Sequence, residues 1–149
     1  MTEGLGNRHE AIGNRESAVP VQETSNKINS YRDLRVWQSA IELTTICYQI
    51  TSGFPESEKY GLTSQLRRSI ASVAANIAEG YGREQLGSYV QFLRIAQGSL
   101  KEFETHATIA CRVGFLDSDQ EAALLRDSEG IGKMLRSLIR SLQRSAPNV

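Results

Sequence analysis

Residues 65–83, with the sequence QLRRSIASVAANIAEGYGR, carry the pattern that decides the fold of this chain. Large apolar side chains recur there at steps of four, three and four residues, which places them in one stripe along an α-helix. The stripe consists of Leu66, Ile70, Val73 and Ile77. Small residues flank it, so neighbouring helices can approach closely. The stretch therefore predicts the inner helix of a bundle, with Gly80 in the left-handed conformation that ends many helices.

Apolar residues recur with the helical period in three other parts of the chain, and no part alternates with the period of two that marks a strand. The predicted fold class is therefore all-α. Four helices are expected, over residues 32–52, 57–80, 88–113 and 118–144. Their short connections favour antiparallel neighbours, so we expect an up-down-up-down four-helix bundle.

Local signals refine the last two predicted helices. Gly114 is expected to end the third helix, and Ser118 together with Glu121 fits a capping box that begins the fourth. Gly130 and Gly132 fall inside the fourth helix, where each costs about 1 kcal/mol relative to alanine. We therefore expect a weak point or a bend at these two glycines.

The chain divides into a tail and a bundle. Residues 1–30 contain scattered glycine and charge but few clustered apolar residues, so they cannot offset the entropy of ordering and predict a disordered N-terminal tail. Residues 31–149 form the predicted bundle. Seventeen basic and seventeen acidic side chains cancel, and neither a membrane span nor a secretory signal is recognisable. The expected localisation is cytoplasmic, with no membrane partner.

Catalytic and metal chemistry find little support in the sequence. Cys47 and Cys111 lack partners at metal-ligand spacing and are expected to be reduced thiols in the helices. His106 has glutamates at minus four and minus two, so the Glu-x-x-His spacing of di-iron bundles is missing. No nucleophile elbow or phosphate-binding glycine loop follows a strand. We therefore expect no catalytic residue, no metal and no cofactor.

A set of polar residues on the second and third helices forms the first candidate site. Asn76 and Glu79 lie three residues apart on one helix face, and Ser99 and Glu102 repeat this spacing one helix later. One interpretation is a hydrogen-bonded network that joins the two helices. The other is a contact with a ligand, a nucleic acid or another subunit.

Basic residues form the second candidate site. Lys133, Arg136, Arg140 and Arg144 follow the last helix at steps of three, four and four, and no acidic residue follows Glu129. Cations at this position can complement the helix dipole, which is a purely structural role. The same stripe is a candidate track for the phosphates of RNA or DNA. Arg67 and Arg68 on the second helix add positive charge to this candidate nucleic-acid surface.

Several short motifs follow one another in order over about residues 31–144. They are Tyr31-Arg32-Asp33-Leu34, Val36-Trp37, Phe54-Pro55, Glu58-Lys59-Tyr60-Gly61-Leu62, Gln65-Leu66-Arg67-Arg68, Asn76-Ile77-Ala78-Glu79-Gly80, Tyr81-Gly82-Arg83, Phe92-Leu93, Ile95-Ala96, Gly98-Ser99-Leu100 and Glu102. Together they resemble a family of small bacterial four-helix-bundle proteins named for intervening sequences of large-subunit ribosomal RNA genes.

The resemblance implies self-assembly and a nucleic-acid role. Characterised relatives look like pentameric rings, so it implies a homo-oligomer of five copies. Tyr31, Trp37, Tyr81 and Tyr89 are the expected interface aromatics. One branch of the family serves as the accessory protein of diversity-generating retroelements, in which basic surfaces engage RNA or DNA and a reverse transcriptase. Those accessory proteins are strongly basic, whereas this chain is neutral.

The predicted function is a non-enzymatic, self-assembling interaction module that binds nucleic acid as an accessory factor. The alternative is a structural or protein-binding oligomeric scaffold with no nucleic-acid role.

Overall fold

The computed structural model describes residues 27–145 and confirms the all-α class. Within this part of the chain there is no strand. The four long helices are α1 (Arg35–Thr51), α2 (Leu62–Tyr81), α3 (Leu86–Arg112) and α4 (Ser118–Arg144). Single turns of 3-10 helix precede α1 and α2, at Tyr31–Asp33 and Glu56–Glu58. These turns are why α1 and α2 begin three and five residues later than predicted, at residues 35 and 62 instead of 32 and 57.

The predicted tail lies outside the described residues, apart from residues 27–30, which contain no helix. The last four residues, 146–149, also lie outside them. No helix in the described part is both long and apolar enough to cross a membrane.

The helices pack as an up-down-up-down bundle. Each helix contacts the next one in sequence, and α4 returns to contact α1, while α2 and α4 lie diagonally and share no contact among the described residues. Two contacts between α3 and α4 define the register of these antiparallel helices. Ser128 donates a hydrogen bond to Glu104 at 2.8 Å, and Gly132 lies beside Leu100.

One continuous core fills the bundle. The stripe predicted on α2 is fully buried, with Leu66, Ile70, Val73 and Ile77 each at most 1% exposed. Burying a side chain of this size contributes about 1.5–3 kcal/mol. On α1 the apolar spacing predicts that Leu34, Trp37, Ile41 and Tyr48 share one side, but Ile41 and Tyr48 point outwards with 39% and 47% of their surfaces exposed. The buried face of α1 is Val36, Ala40, Leu43 and Cys47.

Gly80 does not end α2, which corrects the prediction for this residue. It lies inside the helix, is buried, and does not adopt a positive φ. A Cβ at this position would come within 2.8 Å of the Cβ of Phe92. Gly80 therefore allows α2 and α3 to approach closely. Gly114 has a φ of 87° and follows the end of α3, as predicted.

The cap of α4 lies one residue earlier than predicted. Asp117 accepts a hydrogen bond from the Gln120 backbone at 2.7 Å, and the Gln120 side chain accepts one from the Asp117 backbone at 3.0 Å. The Asp117 carboxylate also complements the positive end of the helix dipole, which the neutral hydroxyl of Ser118 cannot do. α4 runs without interruption through Gly130 and Gly132, so the expected weak point does not break the helix.

Candidate nucleic-acid interface

The predicted basic stripe lies on the outer surface of α4. Lys133, Arg136, Arg140 and Arg144 are all exposed. Lys133 pairs with Glu129 at 3.7 Å, and both side chains are about two-thirds exposed, so this ion pair is weak. The three arginines form no salt bridge within the described part of the chain. Their charges are therefore available to an external anion.

The neighbouring part of α3 extends this surface. Residues 86–100 contain no acidic side chain, and the exposed Arg94 is their only charged residue. The register set by the Gly132–Leu100 contact places Arg94 at the height of α4 between Arg136 and Arg140. We call the surface formed by Arg94, Arg136, Arg140 and Arg144 the basic face.

The antiparallel packing sorts the charges of the whole bundle. One end, which we call the basic end, comprises residues 27–43, 72–99 and 131–145, and the opposite, acidic end comprises residues 44–71 and 100–130. The basic end holds nine basic and four acidic side chains, whereas the acidic end holds six basic and nine acidic ones. The neutral total charge therefore conceals an excess of five positive charges at one end and of three negative charges at the other.

Arg67 and Arg68 do not join the basic face. Both lie on α2 in the acidic end, and α2 does not touch α4 in the described structure. Arg67 donates a hydrogen bond from Nε to the Thr51 hydroxyl at 2.9 Å, and its guanidinium lies 4.4 Å from the centre of the Tyr48 ring. It thus fastens α2 to the last turn of α1, where a cation complements the helix dipole. Arg68 is exposed and lies beside Glu102 at the edge of α3.

The predicted polar network contains two of its four proposed members. The amide of Asn76 donates hydrogen bonds to the backbone oxygen and the hydroxyl of Ser72, at 2.8 and 3.0 Å. The Ser72 hydroxyl shares a 2.9 Å hydrogen bond with the hydroxyl of Ser99. The chain of contacts therefore crosses from α2 to α3 through Ser72. Sequence reasoning missed this residue, although its spacing of four from Asn76 is the signal that could have found it.

The two glutamates lie outside that network. Glu79 is exposed and pairs with Arg83 at 2.9 Å, and the Arg83 guanidinium in turn lies 4.6 Å from the centre of the Phe92 ring on α3. Glu102 is also exposed and lies 3.7 Å from the ring nitrogen of His106, one turn along the same helix. Exposed pairs of this kind contribute about 0–1 kcal/mol.

The surroundings of Cys47 and Cys111 favour a structural role for both thiols. Cys47 is 1% exposed, and burial raises its pKa to about 11, although the nearby Arg67 charge works in the opposite direction. The thiol is therefore protonated at neutral pH and is a poor nucleophile. A hydrogen bond to Glu121 and partial burial raise the pKa of Cys111. Among residues 27–145 no three His, Cys, Asp or Glu side chains are grouped so that they could hold a metal ion.

Comparisons with known proteins agree with this architecture. A family model described as 23S rRNA-intervening sequence protein matches residues 32–137. The fold is similar to that of a crystal structure from Bacteroides thetaiotaomicron, described as a protein with unknown function from the S23 ribosomal protein family. The two chains are 24% identical with a TM-score of 0.63, and the match covers 70% of this chain and 97% of that one. No curated protein matches the chain.

Proposed function

The chain belongs to the 23S rRNA-intervening sequence protein family, and from that premise we propose that it is a non-enzymatic, self-assembling module whose basic end binds the phosphate backbone of RNA or DNA. The observation that carries the proposal is the basic face. Its four arginines lie on α3 and α4 where neither helix contributes a nearby acid. A planar guanidinium can bind a phosphate through two parallel hydrogen bonds, so arginine suits this ligand well.

The neutral total charge does not oppose the proposal, because Arg140 and Arg144 lie 11 and 15 residues beyond Glu129, the last acidic residue of α4. α4 has 27 residues, which corresponds to a length of about 40 Å. The Debye length in physiological salt is about 8 Å. A phosphate at the basic end is therefore largely screened from the acidic end and responds mainly to the local arginines.

Self-assembly forms the second part of the proposal. Tyr31 packs on Trp37 and Tyr81 packs on Tyr89, with ring centres 5.3 and 6.2 Å apart, so these aromatics are occupied within one chain. Other exposed apolar side chains occur at both ends, but the two most exposed, Tyr60 and Val113 at 89% and 55%, lie at the acidic end. Contacts made there leave the basic end free, and several copies would bind one nucleic acid with avidity.

The competing function is a protein-binding scaffold without a nucleic-acid role. The apolar side chains at the acidic end would serve it equally well, and a reverse transcriptase is the protein partner implied by the retroelement branch. The two functions differ in whether the arginines of the basic face meet phosphates.

A salt-dependent titration tests the nucleic-acid function. Fluorescence anisotropy of a labelled RNA oligonucleotide should report binding that weakens roughly a hundredfold between about 50 and 200 mM salt, as expected for four phosphate contacts. The R136E/R140E variant should lower the slope of log affinity against log salt by about two. Circular dichroism checks that the variant folds. If the wild type does not bind even at about 50 mM salt, the scaffold function is the better account.

A further inference from the structure

Gly98 occupies a position where the fold itself does not require glycine. It lies near the middle of α3, it is exposed, and no heavy atom would lie within 4 Å of an added Cβ. Its φ is not positive. This contrasts with Gly80, where a Cβ would meet Phe92. Glycine destabilises a helix interior relative to alanine, and at Gly98 it leaves the backbone of α3 without a covering side chain.

Gly98 is one of the residues that line a groove between α3 and α4. The volume of this groove is about 300 Å³. Gly98 and Gly132 line it without a side chain, and the side chains of Gln97, Leu100, Lys101 and Arg136 complete the lining. We call this hollow the glycine groove. It lies at the edge of the basic face and shares Arg136 with it.

We propose that the glycine groove seats one segment of nucleic-acid backbone, with a phosphate between Lys101 and Arg136 and the adjoining sugar above Gly98. This inference rests on the proposed function and names the place where the strand comes closest to the protein. Two cations at the rim supply charge complementarity to a phosphodiester. The Gln97 amide can donate a hydrogen bond to a phosphate or sugar oxygen.

Glu104, which lies one helical turn from Lys101, is restrained. Glu104 pairs with Lys101 at 3.0 Å and accepts a hydrogen bond from Ser128 at 2.8 Å, and it is not among the residues that line the groove. The Lys101 side chain is 72% exposed. An exposed pair of this kind is weak, so Lys101 can turn its ammonium group towards a phosphate while Ser128 continues to hold Glu104.

Filling the groove without changing charge provides the test. Gly98→Leu should weaken binding of the labelled RNA oligonucleotide at least tenfold and reduce its salt dependence, because the strand is lifted away from Lys101 and Arg136. The melting temperature should stay the same or rise, because leucine is the better helix former. Gly130→Leu is the matched control, since Gly130 also has no neighbour within 4 Å and lies outside this groove. The control should bind like the wild type.

Four outcomes would overturn the inference. If Gly98→Leu binds as tightly as the wild type while R136E/R140E does not, the basic face functions but the groove is not the seat. Equal losses in Gly98→Leu and Gly130→Leu would show that the effect is not local. If native mass spectrometry shows that Gly98→Leu breaks up an oligomer, Gly98 is a contact between copies. Failure of the wild type itself to bind would remove the proposed function and the groove together.

Discussion

At the scale of single residues, Asn76 and Glu79 differ in what their side chains contact. The half-buried Asn76 amide donates two hydrogen bonds to Ser72, which connects it to Ser99 on α3. Replacing Asn76 by alanine leaves polar partners without their donor inside the helix packing. Glu79 is one turn away but is exposed, and its side chain pairs with Arg83. The two residues share a helix face in the sequence and differ in burial.

We therefore predict different losses of stability for these neighbours. Asn76→Ala should lower the free energy of unfolding by about 1–3 kcal/mol, the range for orphaned polar partners. Glu79→Ala should lower it by less than about 1 kcal/mol, since it removes only a surface ion pair. Urea denaturation followed by circular dichroism measures both. Equal losses would mean that the hydrogen bonds from Asn76 to Ser72 do not stabilise the bundle more than the surface ion pair of Glu79 does.

The burial of Cys47 predicts that the stability of the fold decreases as the pH rises through the alkaline range. Burial raises its pKa from 9.0 to about 11. Between these values the unfolded chain releases the thiol proton while the folded chain retains it, so rising pH favours unfolding. Stability contributed by the protonated thiol should be complete below about pH 9 and lost progressively up to about pH 11. Cys47→Ala should have a flatter stability profile over this range, and an equally steep profile would assign the effect to other groups.

The residue contacts also show which roles of side chains could not be predicted from the sequence. Asn76 and Ser99 stood out because polar side chains on an apolar helix are conspicuous. Ser72 escaped notice because a small residue beside a stripe is equally suited to close packing. Arg67 and Arg136 are indistinguishable in the sequence, and only the tertiary fold shows that Thr51 binds the first while the second faces solvent.

At the scale of helices, periodicity predicted the elements and their main buried faces, while the ends depended on local competition. The start of α4 shows this clearly. Both Asp117 and Ser118 are good capping residues followed three positions later by Gln120 or Glu121, so the sequence offers two capping boxes in adjacent registers. The aspartate forms the cap in the structure. Gly80 and Gly114 likewise look alike in the sequence, although one permits helix packing and the other ends a helix.

The cap assignment predicts a difference between adjacent alanine substitutions. Asp117→Ala should lower the free energy of unfolding by about 0.5–2 kcal/mol, because the Gln120 backbone N–H loses its partner and the helix dipole loses its anion. Ser118→Ala should have little effect, because its side chain makes no capping bond in the structure. Thermal unfolding of the two variants provides the comparison. A larger loss in Ser118→Ala would restore the capping box predicted from the sequence.

At the scale of the whole molecule, the segregation of charge matters more than its total. The charges of the whole sequence sum to zero. When the residues are grouped by the end of the antiparallel bundle at which they lie, the basic end has an excess of five positive charges. That result could have been anticipated once the bundle topology was predicted. The groove at Gly98 could not, because it depends on which faces of α3 and α4 meet.

The outward apolar side chains at the acidic end predict assembly. Native mass spectrometry at micromolar concentration should show species larger than the 16.5 kDa chain, with five copies as the number implied by the family resemblance. Changing Tyr60 and Val113 to serine should shift the distribution towards monomer, because both side chains are more than half exposed in the single chain. A wild-type protein that is entirely monomeric would contradict self-assembly. An assembly of another size would change only the number of copies.

The most direct test of the central claim compares two charge-matched variants. R136E/R140E reverses two charges at the basic end, and R68E/R126E reverses two exposed charges at the acidic end, so both change the net charge equally. Affinity for the labelled RNA oligonucleotide is measured at about 100 mM salt, where the Debye length is about 10 Å. We predict at least a tenfold loss for R136E/R140E and less than about a threefold change for R68E/R126E. Equal losses in both variants would contradict a binding surface confined to the basic end.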